Sequence, residues 1–276
     1  MVHPKLFVTD LDGTLLEDDH FTVSERNRAA LKALQAQGIK LCACTGRVLC
    51  VLPKAVEELE FDYAITSNGG SCIDLKTGEH IFTAYLPERL ARQAWEYIEP
   101  TSCLTEWFVK DDILMDRERW LQWPARLKAP WHREYLGGGK GIVVDDIHEF
   151  FDQGAPGLEK ISVFDCPKDM RERVIDPLLA TGEFEISTSL GINFEISHIL
   201  ADKGSALKTL CRHMGISPEE TIAFGDGGND VKLMDAAGTA VAMGNAVPAL
   251  KERADVITKR NSEDGVAVYL EENVLK

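Results

Sequence analysis

Two short apolar runs, Leu6–Thr9 and Thr221–Phe224, each end on an acidic cluster. The first is followed by Asp10-Leu11-Asp12-Gly13-Thr14, the second by Gly225-Asp226-Gly227-Gly228-Asn229-Asp230. Such runs are short for helices and continuously apolar, as strands covered on both faces of a parallel sheet are. Around them the pattern alternates. Residues 24–37 read as a helix stopped by Gly38, and 39–43 and 64–66 as strands. Residues 204–214 read as a helix closed by Gly215, 230–237 as another helix, and 240–243 and 256–258 as strands. Strands alternating with helices make βαβ units. The expected fold is therefore α/β, with a Rossmann-like parallel sheet.

The middle has a different texture. All five tryptophans (Trp95, Trp107, Trp120, Trp123, Trp131) fall there, together with the run Gly137-Gly138-Gly139. Strand-like pieces at 104–109, 142–144, 161–164 and 184–186 mix with expected helices over 87–98 and 168–179. The expected organisation is a discontinuous core, residues 1–84 and 191–276, interrupted by an inserted α+β cap domain over 85–190.

Bulk properties exclude several classes. A formal net charge of −15 disfavours nucleic acid, whose phosphates demand a basic surface. It leaves room for a small phosphorylated substrate, because a metal and one or two cations make a local positive hole. The seven cysteines form no C-x-x-C and no framework spacing, so they are expected to be reduced thiols. The chain starts without a signal-like apolar region, and no apolar run approaches membrane-span length. A soluble cytoplasmic protein is expected.

The chemistry concentrates at strand ends, where ligands gather in parallel sheets. Alternate side chains of a strand point the same way, so Asp10 and Asp12 are expected to be aimed together. A carboxylate pair repels itself unless a cation neutralises it. That calls for a hard divalent metal and leaves one carboxylate as nucleophile or proton carrier. If the two acidic strands are neighbours, Asp10, Asp12, Asp226 and Asp230 converge into an oxygen-rich Mg²⁺ site. Thr45-Gly46-Arg47, also after a strand, offers a hydroxyl and backbone N–H groups to phosphate oxygens, or simply an N-cap. Lys203 opens a helix, where a lysine is ordinarily a solvated charge. Arg47 reads equally as a phosphate contact or a salt-bridged residue. Gly137–Gly141 lacks the P-loop pattern, since Glu134 and Gly141 stand where glycine and Ser/Thr belong. The tryptophans, with Trp107 and Trp131 to check, read as cap core. His132, His148, His198 and His213 read as structural, with substrate contact at the cap-to-core return as the alternative for His198 alone.

In this order, the four motifs resemble those of the haloacid dehalogenase (HAD) superfamily: D-x-D-G-T, a Thr at a strand end, a Lys, then G-D-x-x-N-D. The T-G-R, D-K-G and G-D-G-x-N-D forms are similar to the Cof-type subfamily with a type IIB cap. So are Ser67-Asn68-Gly69-Gly70, Ala242-Met243-Gly244-Asn245-Ala246 and Glu263-Asp264-Gly265-Val266-Ala267. The resemblance implies a Mg²⁺-dependent phosphatase of small phosphorylated metabolites, sugar phosphates first, with a cap that closes over the core. It implies Asp10 as the nucleophile that forms an aspartyl-phosphate, and Asp12 as general acid and then base. Asp12 needs a raised pKa for that role; nearby carboxylates push it up while the metal pushes the other way, a balance that the residue order leaves open. Mg²⁺ would bind the Asp10 carboxylate, the Asp12 backbone carbonyl and Asp226, with Asp230 in support. Phosphate oxygens would meet Leu11, Thr45, Gly46, Lys203 and Asn229, with Arg47 and Asn68 as further contacts. A phosphomutase of the same superfamily, or a non-catalytic phospho-binding regulator, are the alternatives.

Overall fold

The computed structural model describes residues 3–126, 141–166, 171–188 and 193–275. In chain order the strands are β1 (Leu6–Thr9), β2 (Lys40–Cys44), β3 (Tyr63–Thr66), β4 (Ser71–Asp74) and β5 (His80–Thr83), then β6 (Leu104–Val109), β7 (Asp112–Asp116), β8 (Ile142–Val144), β9 (Leu158–Phe164), β10 (Phe184–Ser187) and β11 (Asn193–His198), and finally β12 (Thr221–Gly225), β13 (Thr239–Ala242) and β14 (Val256–Ile257). They form an eight-stranded sheet, β14-β13-β12-β1-β2-β3-β4-β5, and a six-stranded sheet, β10-β11-β9-β6-β7-β8.

The chain divides into two compact units. The first comprises Met1–Arg47, Leu52–Thr83 and Asp202–Lys276; the second, Val48–Val51 and Ala84–Ala201. The sequence expectation puts the return to the core at residue 191. Instead β11 is paired antiparallel to β9 and β10, and it stays with the second sheet.

In the first unit β1 is buried along its whole length, which explains its unbroken apolar run. It lies between β12 and β2, parallel to both, with Thr9 level with Phe224 and with Ala43. Strands paired in this register finish together, so the residues that follow them share one edge of the sheet. Phe7 and Phe224 hold this centre, their ring centroids 5.3 Å apart. The sheet runs parallel from β14 to β3, then adds β4 and β5 antiparallel. Those two strands, with β5 at the edge, are absent from the sequence expectation; their alternation is short and interrupted by turn residues.

The flanking helices follow local signals. Ser24 caps the helix Glu25–Ala36, its side chain accepting from the Asn27 N–H at 3.1 Å. Asp202 caps Lys203–Met214 in the same way, accepting from Ser205 N–H at 2.8 Å, and Gly215 ends that helix at φ +66°. Among the described residues no helix is long and apolar enough to cross a membrane.

The second unit packs its own core. Trp107 is fully buried and meets the edges of Trp95 and Phe151 at 5.4 Å each. Trp123 packs on Phe164 at 5.3 Å. The tryptophans described at these positions are core residues. Trp131, His132 and Gly137–Lys140 lie outside the described residues, as does the start of the expected 168–179 helix; Arg171–Ile175 and Asp176–Leu179 are its helical remainder. His198, at the end of β11, accepts from the Leu200 N–H at 3.2 Å.

Candidate active site

Asp10, the residue after β1, keeps extended backbone angles. The chain then departs from the strand. Residues 11–15 form one wide turn in which Leu16 N–H donates to the Leu11 carbonyl at 2.9 Å, and Gly13 takes φ +77°. Such i→i+5 turns recur at functional sites. A side chain at 13 could not be accommodated: a Cβ there would lie 2.4 Å from Asp226 Oδ2.

This turn overrides the alternation expected for Asp10 and Asp12, and their carboxylates take different partners. Asp10 Oδ1 accepts from Lys203 Nζ at 2.6 Å. Asp12 is gripped by Arg47, with Nε to Oδ2 at 2.8 Å and Nη2 to Oδ1 at 2.7 Å. His20 Nδ1 lies 2.9 Å from Asp12 Oδ1, and Arg47 Nη2 also donates to the His20 carbonyl at 2.7 Å. A forked guanidinium–carboxylate contact of this kind is the strongest form of ion pair.

The second acidic cluster arrives on β12. Asp230 is fully buried and works as an organiser: Oδ1 accepts from Lys203 Nζ at 2.6 Å, and Oδ2 from the backbone N–H groups of Asp226 and Gly227 at 3.0 and 2.9 Å. Asp226 Oδ1 accepts from Thr14 Oγ1 at 2.9 Å. Asn245 Nδ2 donates to the Gly13 carbonyl at 2.8 Å and reaches Asp226 Oδ2 at 3.4 Å, joining the two acidic turns.

Asp10, Asp226 and Asp230 each offer a carboxylate oxygen within 4.8 Å of the others. Asp12 is not in this group; the expected gathering of four carboxylates is a gathering of three. Lys203, fully buried, bonds to two of the three. Three carboxylates thus face one ammonium, leaving two negative charges without compensation. The pKa directions carry the same message, although they first look contradictory. Burial disfavours the Lys203 cation, yet the Asp10 and Asp230 carboxylates hold it raised. Asp10 is also raised, by burial and by the Asp230, Asp226 and Asp12 charges, against the pull of Lys203. One lysine shared among several acids explains both. Asp226 is pushed up to about 6 by burial and Asp230. An oxygen-only cluster short of two positive charges fits a hard divalent cation.

Asp12 behaves oppositely. Burial alone would raise it, but the Arg47 and His20 hydrogen bonds and charges hold it well below the usual carboxylate range. The raised pKa expected of a general acid is absent here, because Arg47 neutralises Asp12 directly.

The remaining expected residues surround this centre. Thr45 is buried after β2, and its hydroxyl accepts from the Arg47 N–H at 3.1 Å. Gly46 joins the two. Asn68, in the left-handed region at φ +59°, accepts at Oδ1 from Asn229 Nδ2 at 3.0 Å. Gly69 follows at φ +99°, where a Cβ would strike the Asp202 carbonyl at 2.3 Å. Leu11 is buried at the start of the wide turn. Thr14, His20 and Asn245 were not assigned from sequence. Thr14 and Asn245 lie inside motifs already noted, whereas no local pattern marks His20.

A family described as haloacid dehalogenase-like hydrolase matches residues 7–270. The chain belongs to the haloacid dehalogenase-like hydrolase family. Among curated relatives of this hydrolase, the putative phosphatase YxeH of Bacillus subtilis is 30% identical, covering 98% of each chain. The 5-amino-6-(5-phospho-D-ribitylamino)uracil phosphatase YcsE of the same organism is 29% identical, over 98% of this chain and 96% of that one. Among solved structures, a haloacid dehalogenase-like hydrolase from B. subtilis superposes with a TM-score of 0.84 at 28% identity, over 98% of the hydrolase and 99% of that chain.

Proposed function

We propose that this hydrolase is a Mg²⁺-dependent phosphatase of small phosphorylated metabolites, sugar phosphates first, working through an aspartyl-phosphate on Asp10. The observation that carries the reading is the placement of Asp10. Its carboxylate lies at the end of a buried strand, bonded at 2.6 Å to a fully buried lysine and within 4.8 Å of two further carboxylates. The names of the relatives support phosphate-ester substrates, and the phospho-ribityl group in one of them supports a polyhydroxylated leaving group.

Asp10, Asp226 and Asp230 would hold the metal, with the Asp12 backbone carbonyl. When bound, Mg²⁺ supplies positive charge that offsets the repulsion between a carboxylate and a phosphate dianion. Lys203 occupies Asp10 Oδ1, so we assign Oδ2 the attack on phosphorus. The P–O bond to the leaving group breaks, and Asp12 protonates the departing alkoxide. Water then attacks the aspartyl-phosphate, Asp12 takes its proton, and inorganic phosphate leaves. Splitting one displacement into two lowers each barrier. Leu11, Thr45, Gly46, Lys203 and Asn229, with Arg47 and Asn68, are assigned to the phosphate oxygens.

Asp12 is held as an anion by Arg47. That suits the base step; the acid step requires the grip to loosen so that Asp12 takes up a proton. A phosphate dianion competes for the same guanidinium, and substrate entry would loosen it.

The test uses p-nitrophenyl phosphate. Asp10→Asn should abolish its hydrolysis while far-UV circular dichroism is unchanged, and EDTA should stop the wild type, with recovery on adding Mg²⁺. Full activity in either case removes the mechanism.

A further inference from the structure

Cys103 and Cys166 are the pair of interest in the second unit, remote in sequence from every residue assigned to hydrolysis. β6 and β9 run antiparallel with Leu104 opposite Phe164, so Cys103 precedes one strand where Asp165 and Cys166 follow the other. Asp165 adopts φ +54°, a left-handed turn that an aspartate tolerates better than most residues, and the chain bends there. The Asp165 carboxylate is tied to Arg126 Nε at 2.7 Å, and Arg126 Nη1 donates to the Ser102 carbonyl at 2.5 Å. Arg119 donates to the Cys103 carbonyl. These contacts hold both flanks of the pair and leave Cys103 Sγ and Cys166 Sγ 3.4 Å apart, sharing a hydrogen bond.

We propose that Cys103 and Cys166 form a reversible dithiol–disulfide site, oxidised by hydroperoxides and reopened by dithiol reductants. Cys103 is fully buried and Cys166 is partly exposed, the arrangement of a buried resolving thiol behind an accessible one. The first proton leaves this pair readily. The hydrogen bond shared with Cys166, together with Thr101, Arg119 and Arg126 and against burial, brings Cys103 down to about 6. The same contact, with burial, holds the Cys166 thiol up, so the charge rests on Cys103 and the sulfur that solvent reaches keeps its proton until Cys103 accepts it.

The other buried thiols contrast with it. Burial pushes Cys42 and Cys44 well up, Cys72 to about 12 and Cys211 to about 11. The contrast lies with Cys103, the one of the pair that is lowered.

In the oxidation, Cys166 passes its proton to the Cys103 thiolate as its sulfur attacks the terminal oxygen of ROOH; the S–O bond forms, the O–O bond breaks, and the alkoxide leaves as ROH after taking a proton from solvent. Cys103 gives up its proton and attacks the Cys166 sulfenic sulfur. The S–S bond forms, the S–O bond breaks, and hydroxide leaves as water. Two thiols lose two electrons and two protons, and the peroxide is reduced to an alcohol and water.

The experiment treats the reduced, full-length protein with stoichiometric hydrogen peroxide, blocks the remaining thiols with N-ethylmaleimide, and maps peptides without reduction. The expected result is one cross-linked peptide pair joining Cys103 to Cys166, a fall from seven blocked thiols to five, and full reversal by dithiothreitol. In Cys103→Ser the Cys166 sulfenic acid has no resolving partner and should be trapped by dimedone. The wild-type map needs no variant to fold, so it stands alone as a test. Recovery of Cys103 and Cys166 unlinked, either both as free thiols or with Cys166 driven to the sulfinic acid, overturns the proposal.

Discussion

Replacing Asp226 by asparagine should make the metal-free protein more stable and the metal-loaded protein less so. Burial first, and the Asp230 charge second, raise Asp226 from 3.8 to about 6, against the Thr14 hydrogen bond and Lys203. Between those values the folded state binds a proton that the unfolded state releases. Stability therefore falls as pH rises through that window, and the loss is complete above about pH 6. At roughly 1.4 kcal/mol per pH unit this amounts to at most about 3 kcal/mol, reduced in practice because Asp226 is not fully shielded from solvent. The substituted asparagine would carry no charge at any pH, and its carbonyl can still accept from Thr14 Oγ1. In EDTA at neutral pH, Asp226→Asn should thus exceed the wild type by up to about 3 kcal/mol, a gain that shrinks toward zero near pH 4. Saturating Mg²⁺ should reverse the order: the wild type gains about 4.1 kcal/mol at a thousandfold excess over Kd, more than the variant's lead, and the variant gains little. Urea denaturation at the two pH values, with EDTA and with Mg²⁺, reads all four quantities. A variant less stable than wild type in EDTA at neutral pH, or stabilised equally by Mg²⁺, would refute the charge argument.

Two further expectations follow the same logic. Lys203 is fully buried against Asp10 and Asp230 at 2.6 Å each; Lys203→Met should cost about 3–5 kcal/mol in chemical denaturation at neutral pH and abolish aryl phosphate turnover, and an equally stable variant contradicts the pairing. Glu106, buried on β6, is raised to about 8 by burial, against Lys160. It releases its proton in the folded state only as pH climbs from 4.5 toward 8, so stability falls across that range; Glu106→Gln should remove the slope and lead the wild type by at most about 5 kcal/mol above pH 8. Thermal midpoints measured across that range check it, and a variant with the wild-type slope sinks it.

Much of the first unit was legible because its signals are local. An unbroken apolar run, an acid-glycine turn and a capped helix each carry their meaning within about ten residues, and β1, β2, β3, β12 and β13 lie within a residue of the expected spans. Asp10, Asp226 and Asp230 could be named for the same reason, since each follows or begins such an element; Lys203, locally an ordinary helix-start charge, was named only through the family resemblance of the motif order. The second unit was harder. β7 and β11 there, and β4 and β5 in the first unit, escaped notice, since a short antiparallel strand is defined by a partner that can lie far along the chain.

The amino-acid order alone determined that buried parallel strands would be followed by aspartates, and its motifs resembled those of a family of hydrolases. Tertiary structure decided how the charges pair. Only the wide turn after Asp10 separates the two carboxylates of the first motif, sending one to Lys203 and the other to Arg47 and His20. Only the bend at Asp165 brings Cys166 against Cys103. A side chain's partner depends on backbone angles and on segments remote in sequence, and electrostatic energy depends on those distances; residue spacing encodes neither.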